Sequence, residues 1–127
     1  MYDAIVIGAG PAGLQAALTL GRMHRSTLML DSREYRNGTV LHMHNVVAND
    51  GTPPAEFRAT ARAQLAEYAD VEIRDVGAQT VAPTDAGFTV LLADGDAVEA
   101  HHVILATGVA DDLPAVPGLQ ELWGVGA

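Results

Sequence analysis

A glycine-rich turn near the N-terminus constrains the fold of this chain more than any other feature. The apolar, β-branched stretch Tyr2–Ile7 runs directly into Gly8-Ala9-Gly10-Pro11-Ala12-Gly13, and apolar residues at helical spacing follow as far as Gly21. A second apolar strand is predicted at Ser26–Leu30. Strand, turn, helix and strand together take about 30 residues, which is the size of a right-handed βαβ unit with parallel strands.

The spacing Gly8-x-Gly10-x-x-Gly13 is typical of turns that bind a dinucleotide pyrophosphate. The first glycine permits a tight turn, the second lets the backbone approach the pyrophosphate, and the third lets the helix lie close to the strand. Free N–H groups at the helix start would hold the phosphates. Asp31, at the end of the second strand, would accept hydrogen bonds from the adenosine ribose and repel a 2′-phosphate. This pattern leaves both NAD and the ADP half of FAD open.

One helix is predicted in the middle of the chain. Residues 31–52 show no convincing periodicity, and an irregular segment of that length is usually functional. Thr52 and Pro53 indicate the helix start, with the hydroxyl as cap and the proline in the first helical position. The apolar face of this helix comprises Phe57, Ala61, Leu65 and Tyr68.

Short strands dominate the rest of the chain. A third core strand is predicted at Val71–Arg74. Three alternating segments near residues 78–82, 87–92 and 97–101 predict an antiparallel meander, and His102–Ala106 predicts one more apolar strand before Thr107-Gly108. We therefore expect an α/β fold, a Rossmann-type parallel sheet with an inserted three-stranded antiparallel β-meander, in a single domain over residues 1–127.

Composition excludes several classes of protein. The 127 residues carry 16 acidic and 7 basic side chains, a formal charge of -9, which argues against nucleic acid or an anionic membrane surface as partner. All seven arginines precede residue 75, so the acidic second half is expected either to be a solvated face or to face positive charge from another segment or chain. The absence of cysteine excludes disulphides, thiolate-bound metals and a cysteine nucleophile within these residues.

Three other features of the sequence are an uncharged run, two pairs of histidines and a single tryptophan. The uncharged run Ala4–Gly21 is interrupted by glycines and a proline and lacks a basic flank, so it predicts neither a membrane span nor a signal peptide, and we expect a cytoplasmic protein. The pairs His42/His44 and His101/His102 have no acid at ligand spacing, so we predict no metal site. Trp123 is expected to pack or to lie free near a hinge.

Three stretches carry a resemblance to a known family. "DSREYRN" (31–37), "HMHNVVANDGTPPAEF" (42–57) and "HVILATGVADDLPAVPGLQELWG" (102–124) resemble the low-molecular-weight thioredoxin reductase class and its thioredoxin-reductase-like oxidoreductases. The resemblance covers essentially the whole chain and favours FAD as the dinucleotide. It implies that the chain is the N-terminal FAD-binding part of such an enzyme.

The resemblance also implies a role for individual residues. Asp31 would bind the ribose with Ser32 beside it, and Arg36 and Asn37 would fold over the adenosine and pyrophosphate. Ala78 would meet the adenine through its backbone, and His44 and Asn45 would lie near the isoalloxazine. The remaining residues implied are Gly8, Gly10, Pro11, Ala12 and Gly13 at the pyrophosphate, and Ala106, Thr107 and Gly108 on the flavin side.

In the family that the chain resembles, NADPH reduces the flavin, which passes two electrons to a Cys-x-x-Cys pair and then to a disulphide or small-molecule acceptor. The NADPH domain, the cysteine pair and the last FAD-domain segment are absent here, so the resemblance implies an incomplete domain that is inactive alone. A missing C-terminal segment or a partner chain would supply the rest, and a homodimer is a further possible assembly. Two alternatives stay open: an NAD-binding dehydrogenase domain, and a non-catalytic split or truncated FAD-domain fragment.

Overall fold

The computed structural model describes residues 1–35, 41–109 and 113–122, which form one mixed sheet flanked by helices. The strands are β1 (Tyr2–Ile7), β2 (Thr27–Leu30), β3 (Val71–Arg74), β4 (Ala78–Pro83), β5 (Phe88–Leu92) and β6 (Ala97–Leu105). The helices are α1 (Pro11–Arg22), α2 (Pro54–Leu65) and the short α3 (Leu119–Leu122). No helix among these residues is long and apolar enough to cross a membrane.

The sheet has the strand order β3-β2-β1-β6-β5-β4. The four strands β3, β2, β1 and β6 are parallel, whereas β5 runs antiparallel to β6 and β4 antiparallel to β5. The parallel strands therefore end at the same edge of the sheet, and the carboxyl ends of β1, β2 and β6 lie side by side there. This arrangement confirms the predicted α/β fold with a Rossmann-type parallel part and an antiparallel extension.

Two apolar layers cover the central strands, because successive side chains of a strand point to opposite faces. Val6 and Met29 face the layer under the helices, while Ile5 and Leu28 face the other. The helical layer is completed by Ala9, Leu14, Ala17 and Leu65, and the opposite layer by Ile7, Leu30, Val90, Leu92, Val98 and Ala100. Apolar side chains therefore pack on both faces of β1, the strand that leads into the turn before α1.

The strand boundaries differ from the prediction at one place. We expected a meander strand near residues 97–101 and a separate strand at His102–Ala106, but Ala97–Leu105 is one continuous strand, β6. Ala100 pairs with Phe88 of β5 and with Tyr2 of β1, so β6 passes from the meander into the parallel sheet without a break. No glycine or proline lies within this segment to interrupt it.

The start of α2 also differs from the prediction. The helix begins at Pro54, Pro53 is its N-cap residue, and no side chain of the described residues caps it, so the predicted role of Thr52 is wrong. The hydroxyl of Thr52 instead faces the Asn49 side-chain oxygen at 3.5 Å. The predicted apolar face is correct for Phe57, Ala61 and Leu65, which belong to the helical layer, but Tyr68 lies beyond the last residue of the helix.

Candidate dinucleotide-binding site

A cleft of about 690 Å³ opens where β1, β2 and β6 end. Its walls come from the glycine turn and the start of α1, the segment after β2, the start of β4, and the segment after β6. Ligands of open parallel sheets bind outside the carboxyl ends of the strands. The position of the cleft therefore fits the predicted dinucleotide site.

The three motif glycines have different structural reasons. Gly8 has φ +113°, and a Cβ there would overlap the carbonyl of Ala106 at the end of β6. A Cβ on Gly13 would overlap the carbonyl of Gly8, so the close contact between α1 and the turn needs glycine. A Cβ on Gly10 would meet nothing within 4 Å, although the residue lines the cleft. Protein packing thus accounts for Gly8 and Gly13, whereas packing does not require glycine at position 10.

The start of α1 is suited to bind an anion. Gly10 is the N-cap residue with extended backbone angles, Pro11 is in the first helical turn, and no described side chain caps the helix. The first N–H groups of a helix lack partners within the helix, and together with the helix dipole they attract negative charge. A pyrophosphate placed beside Gly10 would meet these donors.

Asp31 lies at the opposite wall of the cleft and is almost completely buried, with 1% of its surface exposed. The backbone N–H of Arg33 donates to its Oδ1 at 2.8 Å. The Tyr35 hydroxyl and Nη1 of Arg62 both donate to its Oδ2, at 2.7 and 2.8 Å. Burial, and then the hydrogen bond to Asp31, raise the pKa of Tyr35 above its usual value.

A second carboxylate extends this network. Arg33 and Arg62 each donate to Asp75, from Nη2 to Oδ2 at 2.7 Å and from Nη2 to Oδ1 at 3.0 Å. The hydrogen bond from Arg33 is the main cause that holds the pKa of Asp75 below its usual value, and Asp75 in turn raises the pKa of Arg33. Arg58 stacks on the Tyr35 ring, 3.7 Å from its centroid. Two arginines of α2 therefore reach the segment after β2.

Most of the predicted site residues line this cleft. They are Gly8, Gly10, Pro11, Ala12, Asp31, Ser32, Ala78, Ala106, Thr107 and Gly108. Gly13 supports the turn from behind, whereas Arg36, Asn37 and also Trp123 lie outside the described residues. The structure brings together four chain segments that are distant in sequence, and the ligand contacts assigned to them stay predictions.

His44 and Asn45 are not among the cleft-lining residues. Nδ1 of His44 lies 3.1 Å from Oδ1 of Asp50, which also accepts the backbone N–H of Asn45 at 2.9 Å. These contacts, with the backbone N–H of Asn45 as the larger cause, lower the pKa of Asp50. The two residues thus belong to a local turn in the structure, and their predicted place near the isoalloxazine stays a prediction.

Sequence reasoning missed several cleft residues and one supporting residue. Glu34, Tyr35 and Gly77 line the cleft, and Arg62 reaches Asp31 from α2. Tyr35 lies inside the stretch "DSREYRN", which is one of the stretches that carry the resemblance, but it was not itself predicted as a site residue. The spacing of Arg58 and Arg62, one helical turn apart, was a weak signal that both could reach the same surface. No group of three or more potential metal ligands occurs among the described residues.

The chain is similar to known proteins over nearly its whole length. It is 44% identical over 128 residues to a thioredoxin reductase of Claviceps purpurea, covering 98% of this chain and 40% of that protein. It is 33% identical over 132 residues to a thioredoxin reductase of Peptoclostridium acidaminophilum, covering 99% and 40% respectively. The solved structure of an oxidoreductase from Agrobacterium tumefaciens matches with a TM-score of 0.88 and 37% identity, over 94% of this chain and 41% of that one.

These similarities cover only part of each relative. The chain spans about two fifths of the length of these proteins. The family described as pyridine nucleotide-disulphide oxidoreductase matches residues 2–126. With this match over almost every residue, and with the glycine turn and the acid of β2 meeting at one cleft, the chain belongs to the pyridine nucleotide-disulphide oxidoreductase family.

Proposed function

We propose that this chain binds FAD and forms the ADP-binding part of an NADPH-dependent flavoprotein that reduces a disulphide or a small-molecule acceptor. Family membership and the similarity to thioredoxin reductases support this function. The observation that carries it concerns Gly10: packing does not require glycine at this position, and the residue lines the same cleft as Asp31. A dinucleotide needs this combination of a bare backbone and a ribose acceptor.

Different residues of the cleft contact different parts of the cofactor. The N–H groups at the start of α1 bind the pyrophosphate, and Asp31 accepts a hydrogen bond from the adenosine ribose. Ser32 and Ala78 border the adenosine, while Ala106, Thr107 and Gly108 border the flavin side. When bound, FAD supplies hydride acceptance and two-electron transfer, and these residues supply its placement.

The disulphide chemistry needs residues that this sequence does not contain. The chain has no cysteine, so a redox-active cysteine pair has to come from outside these 127 residues. A further segment or a partner chain of different sequence supplies that pair and the NADPH site. We place the protein in the cytoplasm as part of the same proposal.

Titration of FAD into the purified protein, followed by flavin fluorescence, tests the function. We expect Gly10→Val to weaken binding by about 100-fold, because its side chain enters the space of the pyrophosphate. Valine is also a poorer N-cap residue than glycine, which costs about 1 kcal/mol of stability and is measured separately by urea unfolding. Ala63→Val, at an exposed position of α2 outside the cleft, introduces the same side chain and should leave binding unchanged.

A second variant tests the other end of the cleft. Asp31→Ala should weaken FAD binding by about 1–3 kcal/mol through the lost charged hydrogen bonds. Equal affinities for FAD in the wild type and in both cleft variants would contradict the proposal. A colourless protein that binds NAD instead of FAD would favour a dehydrogenase domain.

A further inference from the structure

Arg62 holds two carboxylates at the edge of the sheet. Asp31 follows β2 and Asp75 follows β3, so the parallel pairing of these strands brings both acids to the same edge. The guanidinium of Arg62 bridges them, with Nη1 2.8 Å from Oδ2 of Asp31 and Nη2 3.0 Å from Oδ1 of Asp75. The Arg62 side chain is 29% exposed and that of Asp31 only 2%, so the Asp31 half of the bridge is shielded from water.

Arg33 closes the network from the other side. Its backbone has φ +68°, a left-handed conformation that is uncommon for a side-chain-bearing residue. In this conformation its N–H reaches Oδ1 of Asp31 and its side chain reaches Asp75. This strained residue, which lies between the cleft-lining Ser32 and Glu34, is thus held by the same two acids that Arg62 bridges.

These contacts leave Asp31 with little acceptor capacity. A carboxylate has about four acceptor positions. Among the described residues, Arg62 and Tyr35 donate to Oδ2 and Arg33 donates to Oδ1. The acceptor position that remains after these three bonds is on Oδ1, and its direction depends on how the carboxylate is oriented.

We propose that Arg62 is a positioning residue for the ribose: it fixes the carboxylate of Asp31 so that the remaining acceptor of Oδ1 faces a ribose hydroxyl in the cleft. The inference rests on the proposed dinucleotide function. Without Arg62, the buried carboxylate loses its counter-charge and one of the two donors to Oδ2, and other orientations become accessible. Arg62 lies on α2, outside the glycine motif and outside the cleft lining, so its effect on the ribose passes through Asp31.

The ratio of the dissociation constants for 2′-deoxy-ADP and ADP measures the ribose contact directly. Calorimetric titration of the purified protein with both nucleotides should give a ratio of about 10 for the wild type, as expected for a hydrogen bond to a charged group. The ratio should fall to about 3 or less in Arg62→Met. In Arg62→Lys, which keeps the charge but cannot bridge two carboxylates, the ratio should be intermediate.

A double-mutant cycle separates positioning from general stability. In an Asp31→Ala background, Arg62→Met should produce no further change of the ratio, because the acceptor through which it acts is already lost. Arg25→Met is the matched control: this exposed arginine precedes the opposite end of β2, and its replacement should leave the ratio near 10. If Arg62→Met does not fold, Asp75→Ala removes the second anchor of Arg62 at an exposed position and should lower the ratio to about 5.

Each outcome gives a decision. A wild-type protein that does not bind ADP, or that does not prefer ADP to 2′-deoxy-ADP, overturns the assignment of Asp31 to the ribose and the inference with it. A wild-type ratio near 10 that persists in Arg62→Met and Asp75→Ala overturns the inference alone. A ratio that falls in both variants but not in Arg25→Met supports it.

Discussion

Gly13 provides a test in which two physical arguments predict opposite signs. Alanine is the better helix former by about 1 kcal/mol, so helix propensity alone predicts that Gly13→Ala stabilises α1. In the structure, however, the added Cβ would overlap the carbonyl oxygen of Gly8 and lie 2.8 Å from its carbonyl carbon. Both atoms are backbone, so relief requires α1 to move away from the turn. Overpacking of this kind costs about 1–3 kcal/mol, and we expect the upper end of that range.

The net expectation for Gly13→Ala is a loss of about 2 kcal/mol in the free energy of unfolding. Urea unfolding should show a midpoint lower by about 1 M with an unchanged slope, and the melting temperature should fall by about 8 °C. Gly10→Ser is the matched control, because serine is a good N-cap residue and its Cβ meets nothing within 4 Å. Stability of Gly13→Ala equal to or above that of the wild type would refute the close packing of α1 on the turn.

Three further predictions concern the core, the charge network and activity. Leu65→Ala should lower stability by about 2–5 kcal/mol in urea unfolding, because Leu65 is 1% exposed in the helical layer, whereas the exposed Gln64→Ala should change it little. The pKa of Asp75 in the folded protein lies below its usual value. The ionised carboxylate therefore stabilises the fold at any pH above the usual pKa, and this stabilisation is lost as the pH falls through the lowered pKa. Asp75→Asn should therefore be less stable than the wild type at pH 7, by a difference that shrinks in unfolding measurements as the pH falls through the lowered pKa of Asp75. The 127-residue chain should show no NADPH-dependent reduction of a disulphide dye, because it has no cysteine to relay the electrons, and steady NADPH oxidation would contradict this.

The predictable part of the fold is local in sequence. Strand β1, the glycine turn, α1 and β2 follow one another within 30 residues, and each has its own signal: β-branched residues, glycine spacing and helical periodicity. The end of a parallel strand also determines where its next residue lies, which is why Asp31 could be assigned to the cleft. Ala106, Thr107 and Gly108 were assigned from the resemblance, and the structure shows that they follow a strand that pairs with β1.

The unpredicted part depends on tertiary contacts. Arg62 lies 31 residues from Asp31, and only the packing of α2 against the helical layer brings the two together. The cap of α2 was predicted wrongly because Thr52 had another partner in the preceding loop. The continuity of β6 could not be read from periodicity, since its two halves have different burial patterns but share one backbone. Local signals thus determine the elements, and their packing determines the partners of Asp31.

The charge distribution of the cleft follows from these partners. Residues 75–127 contain no lysine or arginine, yet Asp75 is paired with Arg33 and Arg62 from the first half. Some of the positive charge expected to face the acidic half therefore comes from within the chain. The same pairing commits both arginines to carboxylates, so neither is free to neutralise a phosphate. Among the described residues, the donors at the glycine turn are then the backbone N–H groups of α1, whose position depends on the close contact between Gly13 and Gly8. The close contact of Gly13 and the cleft position of Gly10 thus both shape the start of α1, where we propose that the pyrophosphate binds.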